Sequence, residues 1–315
     1  YLSLVLACLS YFWWLTEEKL GINERLSLLL LLLIIPGTFI QSMMIISEYL
    51  FLAFTFAALA VLTKVDQSRN WQVLVVASLL TGLAIATRTV GIALLPALFL
   101  ICRRQGFLRG VSSIAIALVP LVLWKVFRET GDIQASYFDI IFSYLADRPL
   151  AEIVRIALVQ LNWFFTVWIW NFDRWNSIHV VVIHTVILLI SACVFFARLR
   201  KLSPDSVFLV FYIGIILIWP FPSQMERFVS IIVPFALYYC MLGIAGIARV
   251  FKLESLEGLK KSALFLMVLI TCAPTLMFFF DRYTLPVNDE LISQKHTPSW
   301  YENLDTDLTI DIATK

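Results

Sequence analysis

Charge is scarce in this chain. Of its 315 residues only 15% are Asp, Glu, Lys or Arg, while 61% are hydrophobic. Soluble domains carry about a quarter charged residues and roughly half apolar ones. With 25 Phe and 10 Trp in addition, a globule in water would leave large apolar patches exposed. This composition excludes a soluble enzyme, a nucleic-acid module and a disordered tail. Cysteine is sparse as well. Cys8, Cys102, Cys193, Cys240 and Cys272 all fall in or beside apolar runs, with no CxxC pair, so neither a disulfide framework nor a metal-ligand spacing is indicated. They read as small packing residues. Histidine is rarer still: His179 and His184 share one apolar segment and His296 lies in a polar tail. Strict alternation is missing from runs such as Leu28–Ile35, which argues against a β-barrel.

What the chain has is long apolar runs. A bilayer core needs about 20 helical residues per crossing. Segments near Tyr1–Leu15, Leu26–Ile40, Tyr49–Thr63, Trp71–Ala86 and Gly91–Cys102 qualify, the last by borrowing from its flanks. So do Gly110–Phe127, Ile178–Ala197, Ser206–Pro220, Phe228–Ile247 and Ser262–Phe280. The expected fold is all-α, a polytopic membrane helix bundle with about ten transmembrane helices over residues 1–280. Interfacial helices are expected within 128–176 on the outer face, and 281–315 reads as an extracytoplasmic tail.

Lys and Arg set the orientation. Alternate short connections carry Lys19 and Arg25; Lys64 and Arg69; Arg103, Arg104 and Arg109; Arg198, Arg200 and Lys201; and Arg249, Lys252, Lys260 and Lys261. The positive-inside rule places these loops in the cytoplasm. Against these fourteen cations stand six carboxylates, a net of +8; the outer connections hold nine cations and fifteen carboxylates, a net of −6. The protein's formal +2 is therefore a cancellation. Parity then requires that 158–170 not cross. Its tryptophans, Trp163, Trp168 and Trp170, together with Trp175, suit an interfacial or re-entrant helix. Tyr137, Ile141, Tyr144 and Leu145 fall at helical spacing just before it. The outer stretch reads either as a platform for a lipid tail or as a plain surface connection.

Three short outer turns each hold an isolated ionisable residue. Glu48 opens a helix in Ser47-Glu48-Tyr49-Leu50-Phe51. Arg88 lies in Ala86-Thr87-Arg88-Thr89-Val90-Gly91, ahead of Leu95-Pro96. Arg227 lies in Glu226-Arg227-Phe228, upstream of Pro234. Taken singly, Glu48 can cap its helix and the arginines can reach toward headgroups. Taken together, a carboxylate and two guanidiniums on one face are equipment for binding phosphate, whose oxygens match arginine forks.

In this order the three motifs resemble those of the C-type superfamily of polyprenyl-phosphate-sugar-dependent membrane glycosyltransferases. That superfamily includes the protein O-mannosyltransferases and the bacterial aminoarabinose and dolichyl-phosphate-mannose-type transferases. The resemblance covers most of the chain in span order, but only these motifs carry it. It implies transfer of a sugar from a polyprenyl-phosphate carrier to a hydroxyl of a lipid, glycan or protein acceptor, on the extracytoplasmic face. Arg88 and Arg227 would hold the carrier phosphate, and Glu48 would orient the acceptor, an arginine or a divalent cation such as Mg or Mn. Tyr137, Ile141, Tyr144, Trp163 and Trp168 would line the platform for the isoprenoid chain. The resemblance also implies an acidic catalytic loop after a first span, expected upstream of Tyr1, with Asp132 and Asp139 as fallback bases. The bacterial inner membrane is favoured, with the endoplasmic reticulum as the other setting. Two other classes stay open: an O-antigen-type polymerase or ligase, and a lipid-linked glycan transporter or flippase. A ligase would favour a basic long outer loop, whereas this one is acidic or balanced; a transporter would show internal repeats and mid-span charges.

Overall fold

The computed structural model describes residues 2–35, 47–128, 146, 148–172, 178–219 and 224–250. Among these residues every regular element is a helix. In chain order they are α1 (Leu2–Glu17), α2 (Ile22–Ile34), α3 (Glu48–Gln67), α4 (Trp71–Thr87), α5 (Leu94–Arg103), α6 (Phe107–Arg128), α7 (Leu150–Phe172), α8 (Ile178–Arg200), α9 (Pro204–Leu217) and α10 (Met225–Val250). A 3-10 turn, Thr89–Ala93, leads into α5. Nine of the apolar segments expected from the sequence coincide with a helix; Ser262–Phe280 and the tail 281–315 lie outside the described residues.

Local chemistry places the boundaries. Glu24 reaches back to accept the Gly21 N–H at 3.0 Å at the start of α2, and the Asn70 carbonyl oxygen caps α4 by accepting the Gln72 N–H at 2.9 Å. Each bond satisfies a donor that a helix start leaves orphaned. Pro204 opens α9, where its missing N–H costs nothing. Pro120 and Pro234 lie inside α6 and α10. The Pro234 carbonyl accepts the buried Tyr11 hydroxyl at 2.8 Å, tying α10 to α1.

The core is built on small residues and rings. Ala53, Ala57, Ala58 and Ala60 of α3 are buried together with Ala7, Ala77 and Ala84 of its neighbours. Small side chains let helices approach closely where apolar surroundings give no hydrophobic drive between them. At Gly82 the approach is closest: a Cβ there would lie 2.2 Å from the Ala117 carbonyl oxygen of α6. Beside this region Trp14 stacks on Phe56 at 5.5 Å and meets Tyr238 edge-on at 4.8 Å. These contacts join α1, α3 and α10.

Two ends of the bundle follow from the cross-links. Gln105 donates to the Val65 carbonyl and, at 3.0 Å, to that of Ser68. Arg109 donates to the Arg69 carbonyl at 3.0 Å, and Arg104 to those of Lys201 and Leu202 at 3.2 and 3.0 Å. The basic loops after α3, α5 and α8 therefore gather at one end. Helices α4 and α6 run parallel from it, touching at their starts and again at Gly82 and Ala117. Helices α8 and α10 run parallel toward it, with Ser191 beside Ala236 and Phe195 beside Tyr239.

Among the described residues, three helices are long and apolar enough to cross a membrane: the stretches Glu48–Val65, Leu150–Trp168 and Met225–Ile247. The second differs from expectation. Where the sequence reading placed a short interfacial or re-entrant piece at 158–170, the structure has one unbroken helix of 23 residues. Its inward stripe of Ile156, Gln160, Trp163, Phe164, Val167 and Trp168 is buried, while Leu150, Val154, Leu158 and Phe165 are exposed. Helical spacing sorts these two sets onto opposite faces.

Candidate functional site

At the end opposite the basic loops, three of the singled-out residues meet. Glu48 is the first residue of α3, where the positive end of the helix dipole favours a carboxylate. Its Oε1 accepts from Arg88 Nη1 and, at 2.5 Å, from Arg227 Nε. The partners come from positions 40 and 179 residues away. Glu48 is 1% exposed, Arg88 12% and Arg227 42%. Glu48 Oε2 is buried and has no hydrogen-bond partner among the described residues. The set is one negative and two positive groups, leaving a net +1 that surfaces at Arg227.

The surrounding residues fix this geometry. Arg88 ends α4 in an extended conformation, and its carbonyl accepts the Gly91 N–H at 2.8 Å. A Cβ at Gly91 would stand 2.8 Å from the Ala84 carbonyl group, so this tight turn needs glycine. The Arg88 guanidinium lies 5.2 Å from the Phe228 ring centroid, a cation–π contact. Phe228 is held edge-on by Trp219 at 5.2 Å, and its carbonyl accepts the Tyr212 hydroxyl at 3.2 Å. Gln160 of α7 donates to the Trp219 carbonyl at 2.6 Å. Five helices thus brace the cluster.

Other expected site residues fare differently. Trp163 and Trp168 are 3% and 1% exposed, and the Trp168 indole donates to the His184 carbonyl at 3.4 Å. They are packing residues of the bundle and present no face to an isoprenoid chain. Asp132, Asp139, Tyr137, Ile141 and Tyr144 lie outside the described residues. A divalent cation at Glu48 does not fit: the carboxylate already holds two guanidiniums, whose charge opposes a further cation. Among the described residues no group of three or more His, Cys, Asp or Glu side chains gathers to hold a metal ion.

The opposite end carries a cluster that the sequence reading missed. Arg198 clasps Asp205 with two bonds, Nε to Oδ2 at 2.8 Å and Nη2 to Oδ1 at 2.7 Å. It also donates to Glu18 Oε1 at 3.0 Å and to the Tyr238 hydroxyl at 3.2 Å. Tyr238 in turn donates to Glu18 Oε2 and Tyr239 to Asp205 Oδ2, both at 2.6 Å. One signal could have found it: Asp205 stands directly before the apolar run Ser206–Pro220, seven residues after Arg198.

No family model, curated protein or solved structure matches this chain.

Proposed function

We propose that the protein is a multi-pass membrane glycosyltransferase of about ten spans that moves a sugar from a polyprenyl-phosphate carrier to an acceptor hydroxyl on the extracytoplasmic face. The observation that carries this reading is the convergence of Glu48, Arg88 and Arg227 from three distant turns into one net-positive cluster. Arginine forks bind phosphate oxygens in pairs and stabilise charge that develops on a phosphate leaving group. Arg227, nearly half exposed, is the group that reaches the phosphate first. Arg88 lies behind it, and Glu48 acts as a positioning residue that holds both guanidiniums in place. This assigns Glu48 the arginine-orienting role rather than contact with acceptor or metal. No metal step enters the proposal.

The orientation follows from the gathered basic loops, which belong in the cytoplasm. This supports an extracytoplasmic position for the cluster, with the carrier in the surrounding membrane. The test uses membranes containing the full-length protein, supplied with polyprenyl-phosphate-linked sugars. Glu48→Gln and Arg88→Ala should each abolish sugar transfer while leaving membrane insertion intact. Wild-type turnover in both variants would sink the site assignment.

A further inference from the structure

The end of the bundle that carries the basic loops holds a second site of independent interest. Gln105 and Arg109 fasten the loop after α5 to the loop after α3 through backbone carbonyls, as described, and Arg109 also donates to Gln105 Oε1 at 2.6 Å. The two polar residues that do this tying leave two others free. Arg69 and Arg103 are exposed, and neither guanidinium makes a hydrogen bond, ion pair or ring contact among the described residues. Arg103 is not loosely placed: its Cβ packs against the Gly110 backbone, close enough that a Cβ at 110 would meet it at 3.3 Å.

Around these free cations sit apolar side chains that water would reject. Phe107 is 64% exposed and Leu108 79%, and Trp71 is 45% exposed at the start of α4. The Phe107 ring is set edge-on against Phe99 at 6.3 Å, so it is fixed rather than dangling. A tryptophan and arginines on adjoining loops are the composition of a membrane interface, where rings lie at headgroup depth and cations meet phosphate. The nearby cations Lys64 and Arg198 are already neutralised by Glu17 and by Glu18 and Asp205. Arg69 and Arg103 make no ion pair among the described residues, and neither do Arg200 and Lys201 where α8 passes into its loop.

We propose that Arg69, Arg103, Trp71, Phe107 and Leu108 form a binding site for the headgroup of an anionic phospholipid. The two guanidiniums take the phosphodiester and headgroup oxygens, and Trp71, Phe107 and Leu108 lie along the first carbons of the acyl chains. This site is separate from the Glu48 cluster and does not depend on any catalytic activity.

The test is thermal unfolding of the purified full-length chain in mixed micelles containing either phosphatidylglycerol or phosphatidylcholine. Phosphatidylglycerol should raise the unfolding midpoint by about 2–4 °C over phosphatidylcholine, since a ligand bound to the folded state alone stabilises it. Arg69→Gln with Arg103→Gln should erase that difference, and an unchanged midpoint in phosphatidylcholine shows that the variant is folded. Arg200→Gln with Lys201→Gln removes the same charge from a neighbouring loop and should keep the difference. The proposal is overturned if the wild type shows no preference, if the Arg69/Arg103 variant keeps it, or if both double variants lose it equally.

Discussion

The two ionic clusters of this bundle are near mirror images in charge and opposite in completeness. At one end a single carboxylate, Glu48, holds two guanidiniums; at the other a single guanidinium, Arg198, holds two carboxylates. Around Arg198 both oxygens of Asp205 and both of Glu18 are bonded, and two tyrosine hydroxyls close the network. Around Glu48 one oxygen accepts both arginines, the other has no partner among the described residues, and Arg227 opens to the surface. Burying charge is tolerable only when each group is paired and its remaining hydrogen-bonding capacity is met. The Arg198 cluster meets that condition and ties α1, α8, α9 and α10 together. The Glu48 cluster leaves it unmet at Oε2, so of the two it is the less completely compensated.

That difference should appear as a separation of stability from activity. The largest effect falls on the Arg198 lock. Asp205→Asn leaves Arg198 with half its neutralising charge, and unfolding in detergent should lose about 3–5 kcal/mol. A loss under about 1 kcal/mol would show that the two ends are equivalent. Next comes Arg227→Ala, which should cost less stability than Asp205→Asn because the buried Glu48 keeps Arg88. Sugar transfer by that variant should nonetheless drop roughly 100-fold, the scale of removing one preorganised charge donor. A variant that unfolds easily yet turns over normally would invert the comparison. The mildest change to the lock is Tyr239→Phe, which deletes one hydrogen bond to Asp205 while Arg198 keeps its own; it should cost about 0.5–1.5 kcal/mol, measured by the same unfolding assay with transfer unchanged.

Much of this architecture was legible in the residues. Apolar run lengths located the helices, and Gly91 marked the hairpin turn that presents Arg88. Loop charge placed five basic connections at a common end, and Gln105, Arg104 and Arg109 join three of them, those after α3, α5 and α8. The convergence of Glu48, Arg88 and Arg227 was expected only as a shared face, because a sequence states which end a residue occupies but not its neighbour across 179 positions. The Arg198 cluster was missed for the same reason: Asp205 beside an apolar run was a hint, but Glu18 was one more loop charge, and its partner stands 180 residues on. The tryptophans of α7 misled in a different way. A ring of this size suits both a bilayer interface and a helix contact, and composition alone does not choose between them. The stripe beginning at Ile156 shows that packing claimed Trp163 and Trp168.

Helix α10 takes part in both clusters, with Arg227 near its start and Tyr238 and Tyr239 past its middle. Pro234 lies between them. Having no N–H, it removes the rung that would accept at the Ser230 carbonyl, and its ring crowds that same carbonyl. A helix bends most readily where a rung is gone. The turn that carries Arg227 is thus joined to the tyrosines by the most compliant part of the rod. Tyr11 pins the far side of this joint through the Pro234 carbonyl. A small swing of Arg227 about that point is absorbed at the proline, and the Arg198 lock need not yield to permit it.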